Sequence, residues 1–93
     1  MGYYVYVIRS GTDNSYYKGF SEHPHLRLLQ HNNGECKYTS LKMPWQLVYV
    51  EELPTKRDAL IREKVLKKYS HGQIEKLIVS AKNIVDQFLP LVG

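Results

Sequence analysis

Glu63 stands where a carboxylate needs a reason. In helical projection it falls between Leu60 and the Ala59/Leu66 pair, at the border of an apolar face. An unpaired charge is expensive to desolvate there; a salt bridge, a tilted solvated side chain or a metal ion would each relieve it. On a separate helical stretch, Arg27 and His31 lie four residues apart and share one face. Five of the eight tyrosines (Tyr3, Tyr4, Tyr6, Tyr16 and Tyr17) fall in the first 17 residues. Phosphodiester cleavage uses this kit: a cation for the phosphate charge, a base for the attacking water, and a carboxylate for a metal completed by water and phosphate. The same residue types also suit sheet packing and solvated helix faces, and spacing alone does not choose between these.

The elements that must position these groups are legible from pattern. Residues 3–9 read as a strand by their aromatic and β-branched content. Gly11-Thr12-Asp13-Asn14 is a run of turn formers, and residues 15–19 resume the strand pattern, so a β-hairpin opens the chain. Ser21 is the expected cap of a first helix that carries Pro24 in its first turn and runs to about Asn32. Leu26 and Leu29 are its expected core residues. Residues 34–44 read as a loop, and residues 46–52 as a third strand. Thr55 caps a second helix to about Tyr69, with Ile61, Val65 and Tyr69 on one side and Leu60 on the other. Ser70 and Gln73 have capping-box spacing. From there Ile74, Leu77, Ile78, Ala81, Ile84, Val85 and Phe88 fall in one arc at about 100° per residue, which predicts a third helix over 71–89 ended by Pro90. The order β-β-α-β-α-α predicts an α+β domain, a small three-stranded antiparallel sheet flanked by helices.

Bulk properties narrow the class. The 93 residues suit a single domain, 1–93. Thirteen Lys and Arg against nine Asp and Glu give a net charge of +4, with a pI near 9.2. That balance favours polyanionic partners. Lys37, Lys42, Lys56 and Arg57 are candidate phosphate-backbone contacts, and Tyr38 is a candidate for stacking on bases. Trp45, just before a strand, reads as core. One cysteine, Cys36, excludes a disulfide framework, and with no secretory or bilayer-spanning pattern the expected location is cytoplasmic. His23 and His25 with Cys36 do not make a structural zinc set, which needs more thiolates and better spacing.

A resemblance sharpens these expectations. Tyr4-Val5-Tyr6 and, ten residues on, Tyr17-Lys18-Gly19 resemble the two halves of the GIY-YIG signature. Tyr4 replaces its first glycine and Lys18 its second isoleucine. Residues 26–31 resemble the family helix with an arginine and, four residues later, a His or Tyr. Residues 58–63 resemble the helix bearing its single metal-binding glutamate. Residues 31–39 and 44–49 are similar to the short single-domain bacterial subfamily. The match spans about residues 3–69. It implies a three-stranded antiparallel sheet with helices and a metal-dependent endonuclease acting on nucleic acid, DNA in the first place, in repair or recombination. It implies roles as well: Tyr6 at the phosphate or water, Tyr17 activating the nucleophile, Arg27 stabilising phosphate charge, and His31 assisting proton transfer or orienting Tyr17 or the phosphate. Glu63 would hold one divalent cation, Mg2+ or Mn2+. Some members use a late Asn, for which Asn83 is the candidate. The alternatives are a non-catalytic nucleic-acid-binding module of the same fold, and a subunit, paired with itself or another protein, that docks through its third helix.

Overall fold

The computed structural model describes residues 2–89. Strand β1 (Tyr3–Ser10) lies between β2 (Tyr16–Ser21) and β3 (Trp45–Leu53), antiparallel to both, giving the sheet order β2-β1-β3. The three helices are α1 (Pro24–Asn32), α2 (Lys56–Lys67) and α3 (His71–Ile78). The expected α+β order is what forms. Both faces of the sheet are covered, so the central strand is buried without alternation from Val5 to Ile8.

The pleat sends neighbouring residues of β1 to opposite layers. Val5 and Val7 join Val48, Tyr49, Ala59, Leu66, Ile74 and Leu77 beneath α2 and α3. Tyr6 and Ile8 join Trp45, Leu47 and Val50 in the other layer, beside Leu28 of α1. The pairing with β3 shifts between Val7 and Ile8. Val7 faces Tyr49 and Ile8 faces Leu47, so Val48 is the extra residue of a bulge. That is why Val48 and Tyr49, adjacent in sequence, share one layer.

Three helical expectations fail. Leu26 and Leu29 are 50% and 48% exposed rather than core. The inward side of α1 is instead Pro24, Leu28 and His31, because a polar network occupies the space beneath it. His23, not Ser21, takes the cap position, and the Ser21 hydroxyl accepts from the His23 amide. The third helix ends at Ile78 rather than near residue 89. Ser80–Lys82 turn, and the Asn83 amide fastens the chain to the outer edge of β3. Its Nδ2 donates to the carbonyls of Val48 (2.9 Å) and Ile78 (2.8 Å), and its Oδ1 accepts from the amides of Val50 (3.2 Å) and Val85 (2.9 Å). Ile84, Val85 and Phe88 then pack in the layer of Tyr6, across the sheet from Ile74 and Leu77. One continuous helix cannot serve both layers. Pro90, the expected terminator, lies outside the described residues. Among them, no helix is long and apolar enough to cross a membrane.

Candidate active site

Tyr6, Tyr17, Arg27 and His31 come from three elements and meet in the α1 layer. The Tyr6 hydroxyl lies 2.9 Å from His31 Nε2, and both residues are buried. The His31 ring meets the Tyr17 ring edge-on, with centroids 5.1 Å apart. Tyr17 in turn meets Trp45 at 6.5 Å. Gly19 makes room for this arrangement. It pairs with Tyr6 across the strands, and a Cβ on it would come 2.5 Å from the Tyr6 hydroxyl oxygen. The second half of the signature therefore ends in glycine because the phenol of the first half crosses its Cα.

The network continues behind His31. Its Nδ1 lies 2.8 Å from Thr39 Oγ1, and that hydroxyl is 3.3 Å from the Cys36 carbonyl. Trp45 Nε1 donates to the Thr39 carbonyl at 2.9 Å. Asn32 ties the start of β3 to the end of α1. Its Oδ1 accepts from the Trp45 amide (2.6 Å) and its Nδ2 donates to the Trp45 carbonyl (2.9 Å). Trp45 is thus core, as expected, and also a strut of the site. Thr39 and Asn32 were not singled out by sequence reasoning. Thr39 does lie in the Lys37-Tyr38-Thr39 stretch that carries the resemblance, which is the signal that marks it.

The electrostatics of the cluster favour neutral rings around one cation. Burial holds His31 down to about 4, with the Arg27 charge adding to the effect, so the imidazole is neutral near pH 7. Burial pushes Tyr6 up to about 12, against the pull of the adjacent Arg27. Tyr17, half-buried, is also raised by burial, and the Glu63 charge makes a smaller contribution in that direction. Arg27 donates from Nη1 to Gln30 Oε1 at 2.6 Å. Among the described residues no carboxylate forms an ion pair with it.

Glu63 lies on the flank of α2, close enough to act on Tyr17. Its side chain is 18% exposed and pairs with Lys67 Nζ at 3.4 Å, on a side chain that is 55% exposed. The salt-bridge answer to its border position is therefore present, with a partner free to swing away. Among the described residues, no group of three or more His, Cys, Asp or Glu side chains could hold a metal. A single carboxylate oxygen donor fits a hard cation that keeps most of its waters and takes the rest of its shell from phosphate.

The outlying candidates divide. Lys37 and Tyr38 are exposed on the loop that Thr39 anchors to His31. Lys42 pairs with Asp13 at 3.1 Å, which reduces its reach for phosphate. Lys56 and Arg57 open α2, about 10 Å along the helix axis from Glu63. Asn83 is consumed by its four backbone bonds and takes no part in the cluster. The apolar side of α3 is not open for docking, since Ile74 and Leu77 are buried in the core.

A family model described as the GIY-YIG catalytic domain matches residues 2–75. The chain belongs to the GIY-YIG family. It is 40% identical over 77 residues to a UPF0213 protein of Staphylococcus saprophyticus, covering 82% of this chain and 93% of that one. It is 34% identical over 82 residues to the UPF0213 protein YazA of Bacillus subtilis, covering 87% and 82%. The solution NMR structure of the UPF0213 protein BH0048 from Bacillus halodurans superposes with a TM-score of 0.57 at 28% identity, over 100% of this chain and 99% of that one. The GIY-YIG domain is of nuclease type. Of its signature, this chain keeps the second glycine where Tyr6 needs it, and puts Tyr4 where the first would be. Tyr4 packs edge-on against Phe88, with centroids 5.1 Å apart.

Proposed function

We propose that this GIY-YIG domain is a metal-dependent endonuclease that hydrolyses phosphodiester bonds in DNA, with Tyr6, Tyr17, Arg27, His31 and Glu63 as its working residues. The observation that carries this reading is the half-buried Arg27 guanidinium. It has no carboxylate partner among the described residues and stands beside two phenols and a neutral imidazole. A cation so placed favours an anion, and a guanidinium matches phosphate oxygens in two-pronged geometry.

Arg27 binds the scissile phosphate and stabilises the charge that grows on it. Tyr17, the more open of the two phenols, meets the attacking water. Tyr6 is buried and acts on Arg27 from behind, while the His31 ring edge fixes the plane of Tyr17. Glu63, now paired with Lys67, would hold Mg2+ or Mn2+, and the cation would supply Lewis acidity to the phosphate. Lys37 and Tyr38 extend the contact to the neighbouring backbone and base.

Nicking of supercoiled plasmid tests this directly. The wild type cuts with Mg2+ or Mn2+ and stops when EDTA is added. Glu63→Gln keeps the fold and loses about a hundred-fold or more in rate. Salt-sensitive DNA binding without cleavage of plasmid or branched DNA, under any divalent cation, would replace the nuclease by a binding module of the same fold.

A further inference from the structure

Thr39 is buried, and among the described residues its hydroxyl makes two hydrogen bonds: to His31 Nδ1 at 2.8 Å and to the Cys36 carbonyl at 3.3 Å. A hydroxyl has one proton to give. A carbonyl can only accept, so the Thr39 proton belongs to Cys36, and the Thr39 oxygen faces Nδ1 as an acceptor. His31 then carries its proton on Nδ1 and offers a bare Nε2 to Tyr6. The Tyr6 hydroxyl, 2.9 Å from that bare nitrogen, is then the donor of the pair.

We propose that Thr39 is a positioning residue of the site: its hydroxyl holds His31 as the Nδ1–H tautomer, which makes Tyr6 a donor to His31. The chain of bonds runs Tyr6 to His31 to Thr39 to the Cys36 carbonyl, each group donating to the next, and such chains strengthen cooperatively. The backbone around Thr39 is held independently. Trp45 Nε1 donates to its carbonyl, and the Cys36 carbonyl accepts from the amides of Thr39 (3.2 Å) and Ser40 (3.0 Å). Rigid support of this kind is what a group that orients another requires. The effect of Thr39 on cleavage rests on the nuclease reading above; its effect on the tautomer does not.

The test combines 15N-labelled histidine NMR at pH 7 with plasmid nicking, on wild type, Thr39→Ser and Thr39→Val. The His31 signals are assigned by their loss in His31→Gln. Wild type and Thr39→Ser should show Nδ1 protonated and Nε2 bare. Thr39→Val, of nearly the same shape, should lose that pattern and cut about ten-fold or more slowly, with Thr39→Ser close to wild type. An Nε2–H tautomer in the wild type overturns the proposal without any variant, which covers the case of a Thr39→Val protein that does not fold. A Thr39→Val protein that keeps both the Nδ1–H tautomer and full cleavage also overturns it. If the tautomer follows Thr39 as stated and even the wild type cuts nothing, the nuclease reading falls and the assignment of Thr39 to His31 stands.

Discussion

Two arginines on opposite sides of one sheet show what separates structural charge from poised charge. Arg62, on α2, donates from Nε to Glu51 Oε1 at 3.0 Å. The same oxygen accepts from the Tyr49 hydroxyl at 2.6 Å, and the guanidinium lies 5.9 Å over the Tyr69 ring. Its charge is matched and its surroundings are complete. Arg27, on α1, meets a neutral amide at Gln30 and a neutral phenol at Tyr6. Each arginine sits beside a buried tyrosine from neighbouring strands, Tyr49 opposite Val7 and Tyr6 opposite Val50. The residue types nearly repeat; the carboxylate is what differs. Where a carboxylate is built in, the arginine closes the structure. Where it is left out, the arginine has no built-in anion among the described residues.

The comparison can be broken at several points. The largest effect is expected at Gly19→Ala, because a methyl there collides with Tyr6 and the whole α1-side cluster must shift. Cleavage should fall about a thousand-fold, with a stability loss of about 1–3 kcal/mol from overpacking. Near-normal cleavage would mean that Tyr6 is not where the activity lives. Plasmid nicking alongside a thermal melt reads both quantities.

His31 gives the two layers different responses to acid. Its folded value of about 4 lies below the usual 6.5. Between those values the unfolded chain binds more protons than the folded one, so stability is complete above about pH 6.5 and declines as pH falls through 4. The contribution at stake is about 3 kcal/mol. Urea melts of wild type and His31→Gln across that window should diverge in slope, the variant being flatter. Equal slopes would mean that the buried neutral imidazole is not the source of the acid sensitivity.

The smallest effect contrasts the two phenols. Tyr49→Phe removes one donor from Glu51 and should cost about 1 kcal/mol while leaving cleavage unchanged. Tyr6→Phe should cost a similar amount of stability and slow cleavage as well, because His31 Nε2 loses its hydroxyl partner. Identical profiles for the two variants would erase the distinction between the layers.

Much of the fold was legible because strands and caps write themselves locally. The hairpin, β3, the Thr55 cap and the Ser70–Gln73 capping box all form where the sequence puts them. The failures share a cause. Leu26 and Leu29 look like core on hydrophobicity alone, yet the buried side of α1 belongs to His31 and the network below it. The arc from Ile74 to Phe88 fits one helix, yet the Asn83 side chain reaches to β3, which no local pattern announces, and divides those residues between two layers. At the site, Tyr6 and Tyr17 were nameable from the signature, Arg27 and His31 from the helix that follows it, and the four do converge. Thr39 was not, because its partner stands eight residues back and only the folded loop brings the two together.

The central claim is that Arg27 is a cation kept free for phosphate, and paired alanine variants test it most directly. Plasmid nicking with Mg2+ is measured for Arg27→Ala and Arg62→Ala at equal concentrations of folded protein, with urea melts of both. Arg27→Ala should lose about a hundred-fold or more in rate with a nearly unchanged melt. Arg62→Ala should cut within a few-fold of wild type and lose about 1–3 kcal/mol of stability, because Glu51 is left half-buried without its partner. Undiminished cleavage by Arg27→Ala would contradict the account.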